Sequence, residues 1–320
     1  MQRTGSVGLI IALLAITLLF FALDEPTPQV DPTPPGVEDR DPAPSDRTEE
    51  DGPIAAPPID ASAFHALDPE ARLSRVDTIL ATLEPAEAYQ TIAELLQGFD
   101  PDREFIEIDD VLKRLLARMG EDPTSFSLPH DDLRTPKSEI ARLISARLLF
   151  EAHQNEWYVE PIAEEFLTAC ESSKSTAVRM TLIEDIGELP EFEPAEVLIE
   201  SVLLDSATPQ DIESGTLALE SMLFQQKMIR TALAAGEPLH PSIEGLYESA
   251  EDVPDATAFA KELLVEVALN RKQTFDTLDA ILDLLVQMRA RDEIDHVLAR
   301  FLQPELLELV EDAKEREIRR

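Results

Sequence analysis

Five histidines and one cysteine are the side chains of this sequence best suited to holding a metal or attacking a carbonyl carbon. His65, His130, His153, His240 and His296 stand singly; no two lie within five residues, and no His-Glu-x-x-His is present. A helical zinc site needs ligands three or four residues apart on one face, so this spacing points to structural or solvated imidazoles. Cys170 closes the apolar run Phe166-Leu167-Thr168-Ala169-Cys170, which predicts a buried, inert thiol. Acidic pairs such as Asp109-Asp110 and Glu164-Glu165 invite a carboxylate dyad. With 65 Asp and Glu in 320 residues such pairs arise by chance and belong to solvated faces. Only 10 glycines are present, with no Gly-x-Ser-x-Gly elbow, phosphate loop or dinucleotide fingerprint. The sequence therefore offers no catalytic, cofactor-binding or metal-binding residue, and the expectation is a protein that is not an enzyme. One aromatic concentration stands out, Trp157-Tyr158 near Phe150 and Phe166. Trp157 and Tyr158 are read as a candidate interaction groove, with packing between two helices as the alternative.

Charge narrows the partners. The net charge is -38, and residues 1–60 hold 11 acids and 3 bases, which leaves 54 acids and 24 bases, a net -30, for 61–320. Such a surface repels phosphate backbones and anionic headgroups, which argues against nucleic acid. It suits a basic protein partner, or it serves solubility in salt alone.

The elements that would carry any site are helices. A short signature recurs: an apolar residue, then Asp, Glu or Thr, then Pro. It occurs at Leu67-Asp68-Pro69, Leu83-Glu84-Pro85, Phe99-Asp100-Pro101, Val159-Glu160-Pro161, Phe192-Glu193-Pro194 and Ala207-Thr208-Pro209, with Arg134-Thr135-Pro136 as a variant. Asp and Thr cap the free N–H groups of a helix start, and Pro is tolerated at the first helical position. Apolar residues then recur at helical spacing, as in Leu73, Val76, Ile79, Leu80 and Leu83, or Leu278, Ile281, Leu282 and Leu285. The pattern predicts an all-α fold of about eleven or twelve helices, stacked as antiparallel hairpins. The stretch 120–135, with Pro123 and Pro129, is read as a loop between an N-terminal helical unit, 61–119, and a main helical repeat domain, 136–320.

One segment of about 30 residues, with Ala177-Val178-Arg179, Leu182-Ile183, Ile186-Gly187-Glu188-Leu189 and a second helix from Pro194, resembles a HEAT-type repeat. The Arg near the helix start, the apolar stripe and the Gly near its end carry the likeness. It implies a HEAT-like α-solenoid; an irregular helical bundle is the alternative, and no chemistry follows from either.

The N-terminus has a different character. Residues 4–23, opening at Thr4 and closing at Leu23, are 20 uncharged residues rich in Leu, Ile, Ala and Phe. At about 1.5 Å per residue they match the roughly 30 Å hydrocarbon core. No small-residue pair suited to cleavage ends the run, so 1–23 is read as an uncleaved signal anchor that contacts the lipid bilayer. Arg3 before it, with Asp24 and Glu25 after it, predicts a cytoplasmic N-terminus and an exported helical domain. Residues 24–60 hold 10 prolines and 11 acids. They are read as a disordered tether, with a reach of about 110 Å if fully extended. Together these features predict a membrane-anchored, exported helical scaffold for protein–protein interaction. An enzyme with a carboxylate site in a helical cleft and a structural subunit of a membrane complex are the alternatives.

Overall fold

The computed structural model describes residues 60–319, apart from Ala207, His240, Ser242, Glu244 and 271–273. The expected anchor, 4–23, and nearly all of the tether lie outside the described residues. Among the described residues no helix is long and apolar enough to cross a membrane, and there is no strand.

Among those residues the chain forms fourteen α-helices and two short 3-10 turns. They are α1 (Ala61–His65), α2 (Pro69–Thr82), α3 (Pro85–Leu95), α4 (Phe105–Met119), α5 (Ser127–Arg134), α6 (Glu139–Gln154) and α7 (Ala163–Ser172). There follow α8 (Thr176–Ile186), α9 (Phe192–Asp205), α10 (Pro209–Ala235), α11 (Thr257–Asn270), α12 (Phe275–Gln287), α13 (Arg291–Arg300) and α14 (Leu307–Ile318).

Side-chain caps and proline set the starts, though not always where the signature predicts. Asp68 accepts from Ala71 N at 2.8 Å and Thr208 Oγ1 accepts from Asp211 N at 3.2 Å, each directly before a proline. Glu84 opens α3 with no side-chain cap bond, since its longer side chain suits the dipole better than the cap. Asp100 does not start a helix. Its carboxylate accepts from Asp102 N in a turn, Glu104 Oε2 takes Asp100 N, and α4 begins at Phe105. Asp60, read as the end of the tether, caps α1 through Ser62.

The stretch 120–135 is a correction to the sequence reading. Pro123 opens a 3-10 turn, Pro123–Phe126, and Ser127–Arg134 is helical. Pro129 sits in the first turn of α5, where its missing N–H removes no helical bond. Phe126, Pro129 and Leu133 are buried. The Tyr89 hydroxyl of α3 donates to Asp132 Oδ2 at 2.7 Å and lies 3.1 Å from Ser145 Oγ of α6. The segment thus joins the helices before and after it, and the described residues form one compact unit.

Packing follows chain order. The helices α2, α4, α6, α8, α10, α12 and α14 touch in sequence, each against the next of the set. The helices α5, α7, α9, α11 and α13 do the same, and adjacent helices link the two rows. One apolar core runs through them, from Phe64 to Ala313. Two contacts fix the spacing at α8. Gly187 lies so close to α10 that a Cβ there would stand 2.3 Å from Ala218 O. Arg179 reaches Asp211 of α10 at 3.3 Å, and Ser206 Oγ donates to the same Asp211 oxygen at 2.8 Å. The Arg and Gly that carry the HEAT resemblance thus both make contacts between successive helices of one row.

Candidate functional site

The two aromatic residues singled out in the sequence follow closely on α6. After α6 the chain turns through Glu156, at φ 60°, and Trp157 N and Tyr158 N both donate to Ala152 O. Trp157 stacks on Phe126 with ring centroids 6.3 Å apart and covers Gly120, where an added Cβ would meet the indole at 2.7 Å. It seals the corner between α4, the 3-10 turn and α6. Tyr158 packs one turn further along, on α5. Its ring lies 5.7 Å from His130, and its hydroxyl donates to Glu160 Oε2 at 3.2 Å. Burial, followed by the charges of Glu160 and its neighbours, raises the Tyr158 phenol well above its usual range. Beside it, Glu165 Oε1 lies 3.4 Å from His130 Nε2 and 3.6 Å from Arg134 Nε. A shallow cleft of about 320 Å³ opens there between Arg134, Glu164, Glu165 and Thr168. Trp157 and Tyr158 thus have different neighbours, Trp157 packing on Phe126 and Gly120 and Tyr158 on His130.

Charge gathers instead on the row that holds α4, α6 and α8. Arg147 of α6 is its centre: Nη1 donates to Asp185 Oδ1 of α8 at 3.1 Å and Nη2 to Glu151 Oε1 at 3.3 Å. Asp109 of α4 also acts on this guanidinium and holds Lys113 at 2.6 Å. On α8, Glu184 accepts from Ser214 Oγ of α10 at 2.7 Å. Glu184, and Glu188 just past the end of α8, both bear on Asp185. Four carboxylates, Asp109, Glu151, Asp185 and Glu188, thus act with one arginine, with Glu184 beside Asp185 and one lysine at the edge. Asp185 is only 6% exposed. Burial raises its carboxyl to about 7; Arg147 opposes this, and Glu188, Glu184 and Glu151 add to it.

Chemically the arrangement offers negative potential over several helical turns and a buried proton site near neutrality. Asp185 is closed off by Arg147, so the surface potential rests on Asp109, Glu151, Glu184 and Glu188. Among the described residues no group of three or more His, Cys, Asp or Glu is placed to hold a metal ion. Of the histidines, His65 bonds Leu95 O at 2.9 Å, His153 is buried within α6 and His296 lines an open groove between α11 and α13. His240 lies outside the described residues. Cys170 is buried, and burial pushes its thiol up to about 12. The sequence held no signal for the Arg147–Asp185 pair, whose members lie 38 residues apart.

Compared with protein-family models, curated proteins and solved structures, the chain finds no match in any of the three.

Proposed function

We propose that this chain is a membrane-anchored, exported helical scaffold that binds a basic protein partner. The observation that carries the reading is the stacking of alternate helices into two rows. That order is the one expected of a HEAT-like α-solenoid, in which each hairpin packs on the next and leaves a long face for a partner. The acidic band over α4, α6 and α8 is the part of this face suited to a basic surface. Residues 4–23 act as the anchor and 24–60 as the spacer. The full-length protein then stays with membranes through alkaline carbonate extraction; release into the supernatant overturns the anchor.

The binding reading is tested with full-length protein in mild detergent, crosslinked to membrane and exported fractions of its source. Wild type is compared with a Glu151→Gln, Glu184→Gln, Glu188→Gln variant. A basic protein recovered by wild type is expected to be lost from the variant, and to be lost at about 0.5 M NaCl, where screening shortens the Debye length to about 4 Å. Recovery of the same proteins by both, at either salt, sinks the basic-partner reading.

The second reading, a carboxylate enzyme in a helical cleft, draws on Asp185, whose raised carboxyl suits acid–base work near neutral pH. A substrate would have to displace Arg147 to reach it, so the scaffold is preferred. The third reading, an assembly subunit, requires a surface through which copies of the chain can meet.

A further inference from the structure

Helix α10 is the longest described, with 27 residues, and spans about 40 Å. One of its faces is uncovered. Leu217, Phe224 and Met228 are 47%, 58% and 50% exposed, three of the nine large apolar side chains exposed among the described residues. With half-buried Ser221 and exposed Thr231 and Ala235 they repeat at intervals of four and three along one line of the helix. That is the seam of a two-stranded coiled coil. α8 ends at Ile186, where Gly187 abuts Ala218, and α10 continues beyond that crossing for four more turns; Leu217 lies at the crossing, and Phe224 and Met228 lie beyond it.

The charge on this helix is equally distinctive. The sixteen residues 221–236 contain no acid, the longest such run after residue 23 in a chain with 65 acids. Two molecules at -38 repel one another, so a contact between copies is least opposed where carboxylates are fewest. Arg230 is spent within the molecule, on Val253 O and Asp255. Lys227 is exposed. It lies seven residues from Glu220, on the same flank of the seam. An antiparallel pair of α10 helices can set Ser221 opposite Phe224 and Leu217 opposite Met228 of the second copy. Lys227 then falls beside Glu220 of the second copy, and Glu220 beside its Lys227. The patch is therefore complementary to itself, the requirement of a two-fold interface.

We propose that two copies of this chain pair antiparallel through the α10 seam of Leu217, Ser221, Phe224 and Met228, flanked by reciprocal Lys227–Glu220 ion pairs. The pairing rests on the scaffold reading only in using α10 as a row helix. The acidic band on α4, α6 and α8 takes no part, so its triple Gln variant should pair normally, and the two proposals fail separately.

The experiment mixes light and isotopically heavy full-length protein in mild detergent and applies a zero-length carbodiimide, which activates a carboxyl group for attack by a lysine amine, so that an amide forms and the reagent leaves as its urea. The expected product is a mixed-isotope peptide pair joining Lys227 to Glu220. Phe224→Glu, at an exposed site, should leave the circular dichroism unchanged, weaken pairing at least about tenfold and remove the link. Glu220→Lys alone and Lys227→Glu alone should each weaken pairing severalfold, and the two together should restore it. Three results overturn the proposal: a wild type that gives no mixed-isotope link up to its solubility limit, as when the seam serves another protein; pairing that survives Phe224→Glu; or a double swap no better than either single one.

Discussion

Replacing Asp185 by Asn should change how stability depends on pH, and the size of the change follows from its surroundings. Asp185 is enclosed between α6 and α8, with Arg147, Glu151, Glu184 and Glu188 as the charges acting on it. Its carboxyl moves from the ordinary 3.8 to about 7 in the folded protein. Between those values the folded state binds more protons at this site than the unfolded chain. Stability contributed here is therefore present below about pH 4 and is lost as pH rises through about 7. A shift of about three units, at roughly 1.4 kcal/mol each, is on the order of 4 kcal/mol. The amide introduced by Asp185→Asn would keep the shape and an acceptor for Arg147 but could not titrate. The variant should match wild type near about pH 4 and gain on it up to about pH 8, by a melting difference of about 10 °C. Thermal unfolding of both proteins across this range, in one detergent and at fixed ionic strength, measures it. Subtracting the two curves removes the acids they share. A difference that stays flat with pH, or a variant that loses ground as pH rises, refutes the argument.

Gly187→Ala should destabilise by about 1–3 kcal/mol, because the new methyl meets the backbone of α10 and not a movable side chain; denaturant unfolding measures this, and a neutral result contradicts the close crossing. Gly120→Ala should push the indole off its corner. Because Trp157 is the single tryptophan, its emission should shift to the red while helicity is kept. Arg179→Ala strands the buried Asp211 carboxylate and should cost about 3–5 kcal/mol, read from the same unfolding experiment. The melting temperature should rise with NaCl, since about 0.1 M salt brings the Debye length to about 10 Å and damps the repulsion among surface acids; a fall would contradict it.

Much of the architecture is legible in the residues, and the misses have physical causes. Asp68 and Thr208 mark helix starts correctly because a short acceptor can cap the free N–H groups that follow and proline fits the first helical position, although the same pair at Asp100-Pro101 forms only a turn. Pro123 and Pro129 mislead because they read as breakers, yet proline is harmless in a first turn: Pro123 opens the 3-10 turn and Pro129 lies in the first turn of α5. Periodicity identifies faces but not what covers them. The stripe of Leu217, Phe224 and Met228 has the spacing of a core face and is open in the structure. Trp157 packs on a glycine 37 positions earlier, and the burial of Asp185 depends on two helices meeting. Neither has a local signature.

The neighbour-only packing has a mechanical consequence. Apart from α3 against α6, each principal contact joins a helix to one of its next two along the chain. A load drawn through residue 60 would therefore not meet the whole core at once. It would peel α1 and then α2 and α3 from the end, each yielding at a force set by its own interface, while the α8–α10 crossing stayed intact. Drawn from that end, the described helices would thus give way in steps, as a chain of weak links and not as a rigid strut.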